Sequence, residues 1–255
     1  MRDRRSRTAR DSKAFRPTQL SAVTAWLRLA NATTSGGKYT SIPDVLNSNP
    51  AAQADTDRQP AAATSANGLP IATWDGSDVI PWTITAATNS TAAWGFCLWI
   101  KPTANVATRQ RLFKAFFPGA TAKIQVDIVS GGLEINWYTD ATNGRQQVAA
   151  SSITASVWQF LRLEHNGAGS ADADKLKAFV NEVDKASSYG NISGGGTMAT
   201  LNSASGFWTL GAREDQDAPT SPLLSGFQTG PNINVMSTII SASQGAALMN
   251  IEAPN

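Results

Sequence analysis

The sequence predicts an all-β protein: a two-sheet antiparallel jelly-roll sandwich, preceded by a basic arm and closed by a short helix. Three observations carry this. The stretch Ala93-Trp94-Gly95-Phe96-Cys97-Leu98-Trp99-Ile100-Lys101-Pro102 has apolar residues on both faces at period two, as a strand covered on both sides must. Around it lie many short alternating runs, separated at regular spacing by Gly, Asn, Ser and Asp. A helical pattern emerges only at Ser241-Ala242-Ser243-Gln244-Gly245-Ala246-Ala247-Leu248-Met249-Asn250-Ile251, with Ser241 placed to cap it.

Taken in order, the chain opens with a charge block. Residues 1–16 hold Arg2, Arg4, Arg5, Arg7, Arg10, Lys13 and Arg16 against Asp3 and Asp11, a net charge of +5, while the remainder carries −3. Such a block does not fold alone and acts by meeting something acidic. With Phe15 as its one aromatic residue, it is expected to be an assembly arm. Phe15–Leu29 runs from the arm into a first strand. Residues 30–70 are rich in Asn, Ala, Thr, Ser, Gly and Pro, and are expected to form an ordered extended excursion wrapped on the body. Asn67-Gly68 and Asp75-Gly76 are hairpin-type dipeptides flanking a strand at Leu69–Trp74.

After the 93–101 strand, whose end is set by Pro102, come Arg111–Phe117 and then the clearest hairpin. This joins Lys123–Val129 to Leu133–Tyr138 across Ser130-Gly131-Gly132, with Ile124, Val126 and Ile128 inward and Gln125 and Asp127 outward. Gln146–Ala150 is a weaker strand and Val157–His165 a strong one. Leu176–Val180 turns at Asn181-Glu182, and Phe207–Gly211 is the last strand before the helix. The organisation is an arm over 1–16 and one sandwich domain over 17–255.

Composition narrows the setting. Charged residues are 16% of the chain, against about 25% for an average globular protein. No run of about 18 apolar residues exists, so no helix is expected to span a membrane. Nothing resembling an apolar leader follows Met1-Arg2-Asp3-Arg4, which predicts synthesis and retention in a cytosol, or release by lysis. The single cysteine, Cys97, forbids an intrachain disulfide and reads as a small buried hydrophobe.

The order of pieces resembles the concanavalin A-like lectin/glucanase jelly roll, in the laminin-G-like form common in tailed-phage virion proteins and bacterial surface proteins. The residues that carry the resemblance are Leu20-Ser21…Ala25-Trp26-Leu27, Arg58-Gln59-Pro60…Asn67-Gly68-Leu69-Pro70…Trp74-Asp75-Gly76 and Ala93-Trp94…Trp99-Ile100-Lys101-Pro102. Val157-Trp158, Leu176–Asn181, Leu210-Gly211-Ala212-Arg213 and Ser237–Ser243 complete it. Glu182 departs from the pattern, standing where that family has glycine in its hairpin.

Retaining glycoside hydrolysis needs two carboxyl groups about 5–5.5 Å apart. Glucanases of this fold supply them from one strand as Glu-x-Asp-x-x-Glu, a string absent here: Glu134 is followed at two positions by Asn136, and Glu164 by His165-Asn166. The reading is therefore of a protein that is not an enzyme. His165, the only histidine, has no Gly-x-Ser-x-Gly elbow and is expected to be a packed side chain. One Cys and one His exclude zinc. Calcium is the metal that loop acids would hold, with Asp172 and Asp174 in one loop and Glu214, Asp215 and Asp217 in another; no other cofactor is expected. Trp82, Trp137 and Tyr138 are the candidate glycan platforms, while Trp26, Trp74, Trp99, Trp158 and Trp208 are assigned to the core.

The resemblance implies a virion structural or decoration protein of a tailed phage, a lectin-like domain binding host-surface glycans, fixed in a homo- or hetero-oligomeric assembly to other virion proteins by the arm. The alternatives are a bacterial carbohydrate-binding module and a glycoside hydrolase of the same fold.

Overall fold

The computed structural model describes residues 17–85, 93–103, 106–116, 123–138, 144–166, 171–192, 205–211 and 225–255. The arm, residues 1–16, lies outside them.

In chain order the strands are β1 (Val23–Arg28), β2 (Thr33–Ser35), β3 (Lys38–Ile42), β4 (Ala51–Ala52), β5 (Ala61–Thr64), β6 (Pro70–Trp74), β7 (Val79–Thr85), β8 (Ala93–Lys101), β9 (Gln110–Phe116), β10 (Lys123–Val129), β11 (Gly132–Tyr138), β12 (Gly144–Ala149) and β13 (Gln159–Asn166). The four-residue helix α1 (Asp172–Lys175) precedes β14 (Leu176–Val180), β15 (Val183–Asp184), β16 (Ser188–Ile192), β17 (Ser205–Gly211) and β18 (Phe227–Met236), and helix α2 (Ala242–Met249) follows.

These strands make two antiparallel sheets, the predicted class. The first runs β15-β14-β13-β8-β18-β6-β5-β3-β2, with β1 also pairing β18 and β4 pairing β3; the second runs β16-β12-β11-β10-β9-β17-β7. Residues 30–70, read as an excursion, form four short strands, β2 to β5, that extend the first sheet. Their small side chains give alternation too weak to see in the sequence but pair well enough to lengthen a sheet edge.

As predicted, β8 is internal, bonded to β13 on one side and β18 on the other. Trp94, Phe96, Leu98 and Ile100 enter the main core between the sheets. There Phe96 lies 4.2 Å from Phe113 between ring centroids, and Phe113 stacks on Trp208 at 5.2 Å. Such aromatic pairs add about 0.5–1.5 kcal/mol each beyond their buried area. The opposite side of β8 meets a second cluster. Cys97 and the half-buried Trp99 pack with Trp26, Phe160, Met236, Ile240 and Leu248, so α2 and the segment before it cover this side of the sheet. Burial pushes the Cys97 thiol up to about 12, so it behaves as the inert hydrophobe expected.

Helix α2 starts where the sequence placed it. Ser241 accepts from Gln244 N–H while Gln244 Oε1 accepts from Ser241 N–H at 2.8 Å, a complete capping box.

The Asn181-Glu182 turn has both residues at positive φ, 52° and 61°. Glutamate in this conformation is disfavoured by about 1–2 kcal/mol. What holds it is Arg162, whose Nε donates to Glu182 Oε1 at 2.9 Å and whose Nη2 donates to Oε2 at 2.7 Å. Arg162 also pairs with Glu164 at 2.5 Å and lies 3.7 Å over the Phe179 ring. Burial opposes its charge, but Glu182 and Glu164 outweigh burial and raise its pKa.

Candidate functional site

Alternation on the second sheet sends Ile124, Val126, Ile128, Leu133 and Ile135 into the core, so the intervening residues must face away from it. On β10 these are Gln125 and Asp127; on β11, Glu134 and Asn136; on β12, Gln146. The bulge between β9 and β10 sets Arg111 opposite Asp127, and Lys114 pairs in register with Gln125 and Thr209. An outer face this polar would ordinarily be solvated, yet Asp127 is 0% exposed, Asn136 3%, Arg111 5% and Lys114 6%.

One hydrogen-bonded network ties the face together. Arg109 Nη1 reaches both carboxylates, Asp127 Oδ2 at 2.6 Å and Glu134 Oε1 at 2.5 Å, while its Nη2 donates to Glu134 Oε2 at 3.1 Å. Arg111 grips Asp127 through Nε at 2.9 Å and Nη2 at 3.2 Å. Gln125 donates to Asp127 Oδ2, Asn136 to Glu134 Oε1, and Gln146 to Asn136 Oδ1, at 3.1, 2.9 and 3.0 Å. Hydrogen bonding to Glu134 raises the pKa of Arg109 despite opposing burial, with Asp127 adding. Thr209 Oγ1 is buried with no hydrogen-bond partner among the described residues.

Buried charge stabilises less than well-packed apolar residues in the same place, so a network of this size calls for a use. Chemically it is a flat array of fixed amides, guanidinium groups and carboxylates, with the 38%-exposed Arg109 side chain at its open edge. That is the donor and acceptor set that hydroxyl-rich ligands require. The sequence reading missed Arg109, Arg111 and the Asp127–Glu134 pairing because it sought carboxylates along one strand, whereas this pair faces across a hairpin. The signal was present in the outward Gln125 and Asp127 and in the Glu134-x-Asn136 alternation.

The predicted site residues fare differently. Trp82 is corrected: it lies inward on β7, 1% exposed, its ring 6.5 Å from that of Trp208, so neither face is open to a sugar. Trp137 and Tyr138 end β11, on the strand that carries Glu134 and Asn136; their side chains lie outside the described residues. Asp172 opens α1, its side chain also outside the description. Asp174 is exposed, its carboxylate accepting from Ala171 N–H at 3.4 Å. Glu214, Asp215 and Asp217 lie outside the described residues. No three His, Cys, Asp or Glu side chains gather to hold a metal among the described residues. His165 is packed as expected, stacked on Trp94 with ring centroids 6.1 Å apart. No helix among the described residues is long and apolar enough to cross a membrane.

The sequence matches no protein-family model and no curated protein. Its fold is shared with solved structures. The receptor binding domain of botulinum neurotoxin C/D mosaic serotype aligns with a TM-score of 0.59 at 10% identity, over 89% of this chain and 50% of that one. The binding domain of botulinum neurotoxin serotype D gives 0.55 at 12% identity, over 89% and 51%. Trypanosoma rangeli sialidase in complex with sialic acid gives 0.56 at 15% identity, over 90% of this chain and 33% of that one. The chain thus spans about half the length of the neurotoxin chains and a third of the sialidase. At these identities the likeness is of fold, the two-sheet antiparallel β-sandwich. It corrects the reading that the protein is not an enzyme: the same sandwich occurs within a sialidase, so neither the fold nor a missing glucanase string excludes catalysis.

Proposed function

We propose that this chain is a lectin-like, glycan-binding domain, and that it binds through the polar outer face of the second sheet. The observation that carries this is the buried Arg109–Asp127–Glu134–Arg111 network with its flanking amides. The fold shared with a toxin receptor binding domain and with a sialidase crystallised with sialic acid supports it. The test is a glycan array followed by titration calorimetry on the best binder, with Arg109→Ala and Gln146→Ala. Both variants are expected to stay folded, Arg109→Ala melting lower because Asp127 and Glu134 lose a partner, and to weaken binding by about tenfold or more, equivalent to about 1.4 kcal/mol. A wild-type chain that binds no glycan, or variants that bind equally well, would overturn the proposal.

Within that function we infer a virion setting of the tailed-phage kind, with the domain fixed to neighbouring proteins by Arg2, Arg4, Arg5, Arg7, Arg10, Lys13, Phe15 and Arg16. The charge contrast between +5 in residues 1–16 and −3 in the rest supports it. Deleting residues 1–14 is expected to leave the sandwich melting unchanged while abolishing incorporation into particles. Incorporation of the truncated chain at full occupancy would refute the anchor.

A further inference from the structure

We propose that the cleft between β13, β14 and the start of α2 is a second ligand site, specific for a small acidic saccharide, a sugar bearing a carboxylate. It lies on the outer face of the first sheet, on the far side of the sandwich from the polar network, and stands independently of the function proposed there. The cleft holds about 600 Å³, within the range of about 300–1,000 Å³ typical of small-molecule sites.

Its walls divide by chemistry. Lys175, ending α1, and Lys177, on β14, both line it and belong to no ion pair among the described residues. In register Lys177 sits opposite Glu164, but that carboxylate is already taken by Arg162 at 2.5 Å and by the Ile240 N–H at 3.0 Å. Asp174 also lines the cleft, so its walls carry three cations, Arg162, Lys175 and Lys177, against two carboxylates, Glu164 and Asp174. Arg162, 1% exposed, lies at the base of the cleft with its guanidinium held by Glu164 and Glu182. The other wall is hydrocarbon, formed by Phe179, Ile240 and the 43%-exposed Ile239. Ala242 places the first turn of α2, the positive end of its dipole, against the same space.

A carboxylate answers the ammonium groups, and the C–H face of a sugar ring answers the apolar wall. A neutral sugar would leave both lysines unserved, and a bare inorganic anion would leave the apolar wall uncovered.

The test titrates the full chain with glucuronate, glucose and inorganic phosphate, following backbone amide shifts of β13, β14 and α2. Glucuronate is expected to bind, with affinity falling as salt rises. The Lys175→Gln/Lys177→Gln double variant should weaken it about tenfold. Shifts absent with glucuronate, equal affinity for glucose or phosphate, or an unaffected double variant would each overturn the proposal.

Discussion

Gly245 of α2 sits directly against the carboxylate of Glu182: a Cβ at that position would overlap Glu182 Oε2 and lie 2.8 Å from Arg162 Nε. The helix therefore docks on an ion pair, and the missing side chain is what lets it close. Two elements far apart in sequence fit each other through one absent methyl group.

Gly245→Ala separates two effects of opposite sign. Helix propensity alone would make alanine more stable by about 1 kcal/mol. Overlap with a carboxylate pinned by Arg162 should instead cost about 1–3 kcal/mol. Urea unfolding is expected to show a net loss, and adding Glu182→Ala should recover part of it. A net gain in the single variant would mean that Glu182 moves aside freely.

Glu182→Gly should also destabilise, although glycine suits the φ of 61° better. Relief of backbone strain is worth about 1–2 kcal/mol, whereas removing one partner of a buried ion pair costs about 3–5 kcal/mol. Because Glu164 still faces Arg162, a net loss of about 1–3 kcal/mol is expected. Equal or greater stability would show that the ion pair contributes little.

Two buried groups titrate with opposing signs. Burial, with Lys175 adding, lowers His165 from 6.5 to about 4. Between those values the unfolded chain binds more protons, so this contribution is whole above pH 6.5 and fades on acidification, by up to about 3 kcal/mol. Burial raises Asp78 from 3.8 to about 6; here the folded chain binds more protons, and stability rises as pH falls through that window. Asp78→Asn should therefore steepen the loss of stability between pH 6.5 and 4, and His165→Gln should reverse its slope. Parallel stability profiles for the two variants would refute this assignment.

Trp99→Ala tests the outer cluster. Emptying a fully buried large aromatic site costs about 3–5 kcal/mol, but Trp99 is only half-buried, against Phe160 at 5.6 Å, with its Nε1 donating to Met249 O at 3.2 Å. A loss of about 2 kcal/mol is expected, with amide exchange rising first in α2. Unchanged exchange there would mean that the indole does not hold the helix.

The strands legible in the sequence were those with large side chains in strict alternation, β8, β10, β11 and β13 above all. Eight were missed: the short β2 to β5, β15 and β16 have no run of large apolar side chains in alternation, and the longer β7 and β18 contain proline. Pro81 lies within β7, at the end of the second sheet's strand order, where a missing N–H is tolerated. Gly230-Pro231 lies inside β18, in the register shift between Thr229 and Ile233 where the ladder is already interrupted. There the glycine also admits Trp99, since a Cβ at residue 230 would stand 2.5 Å from Trp99 Cβ. The polar face was half legible. Outward Gln125 and Asp127 follow from alternation, but their meeting with Arg109 and Glu134 depends on a hairpin register that no local pattern encodes.

The position of β18 bears on how the molecule is made. This late strand completes the middle of the first sheet, pairing with β8 on one side and with β6 and β1 on the other. Trp26 waits for Asn232, 206 residues later, to accept its indole N–H at 2.8 Å. During synthesis β1, β6 and β8 must therefore leave the ribosome as unclosed edges, holding apolar faces open until almost the whole domain has been translated. Such long-range closure is slow and leaves a nascent chain prone to mispairing. Refolding of the isolated chain is accordingly expected to be slow and concentration-sensitive.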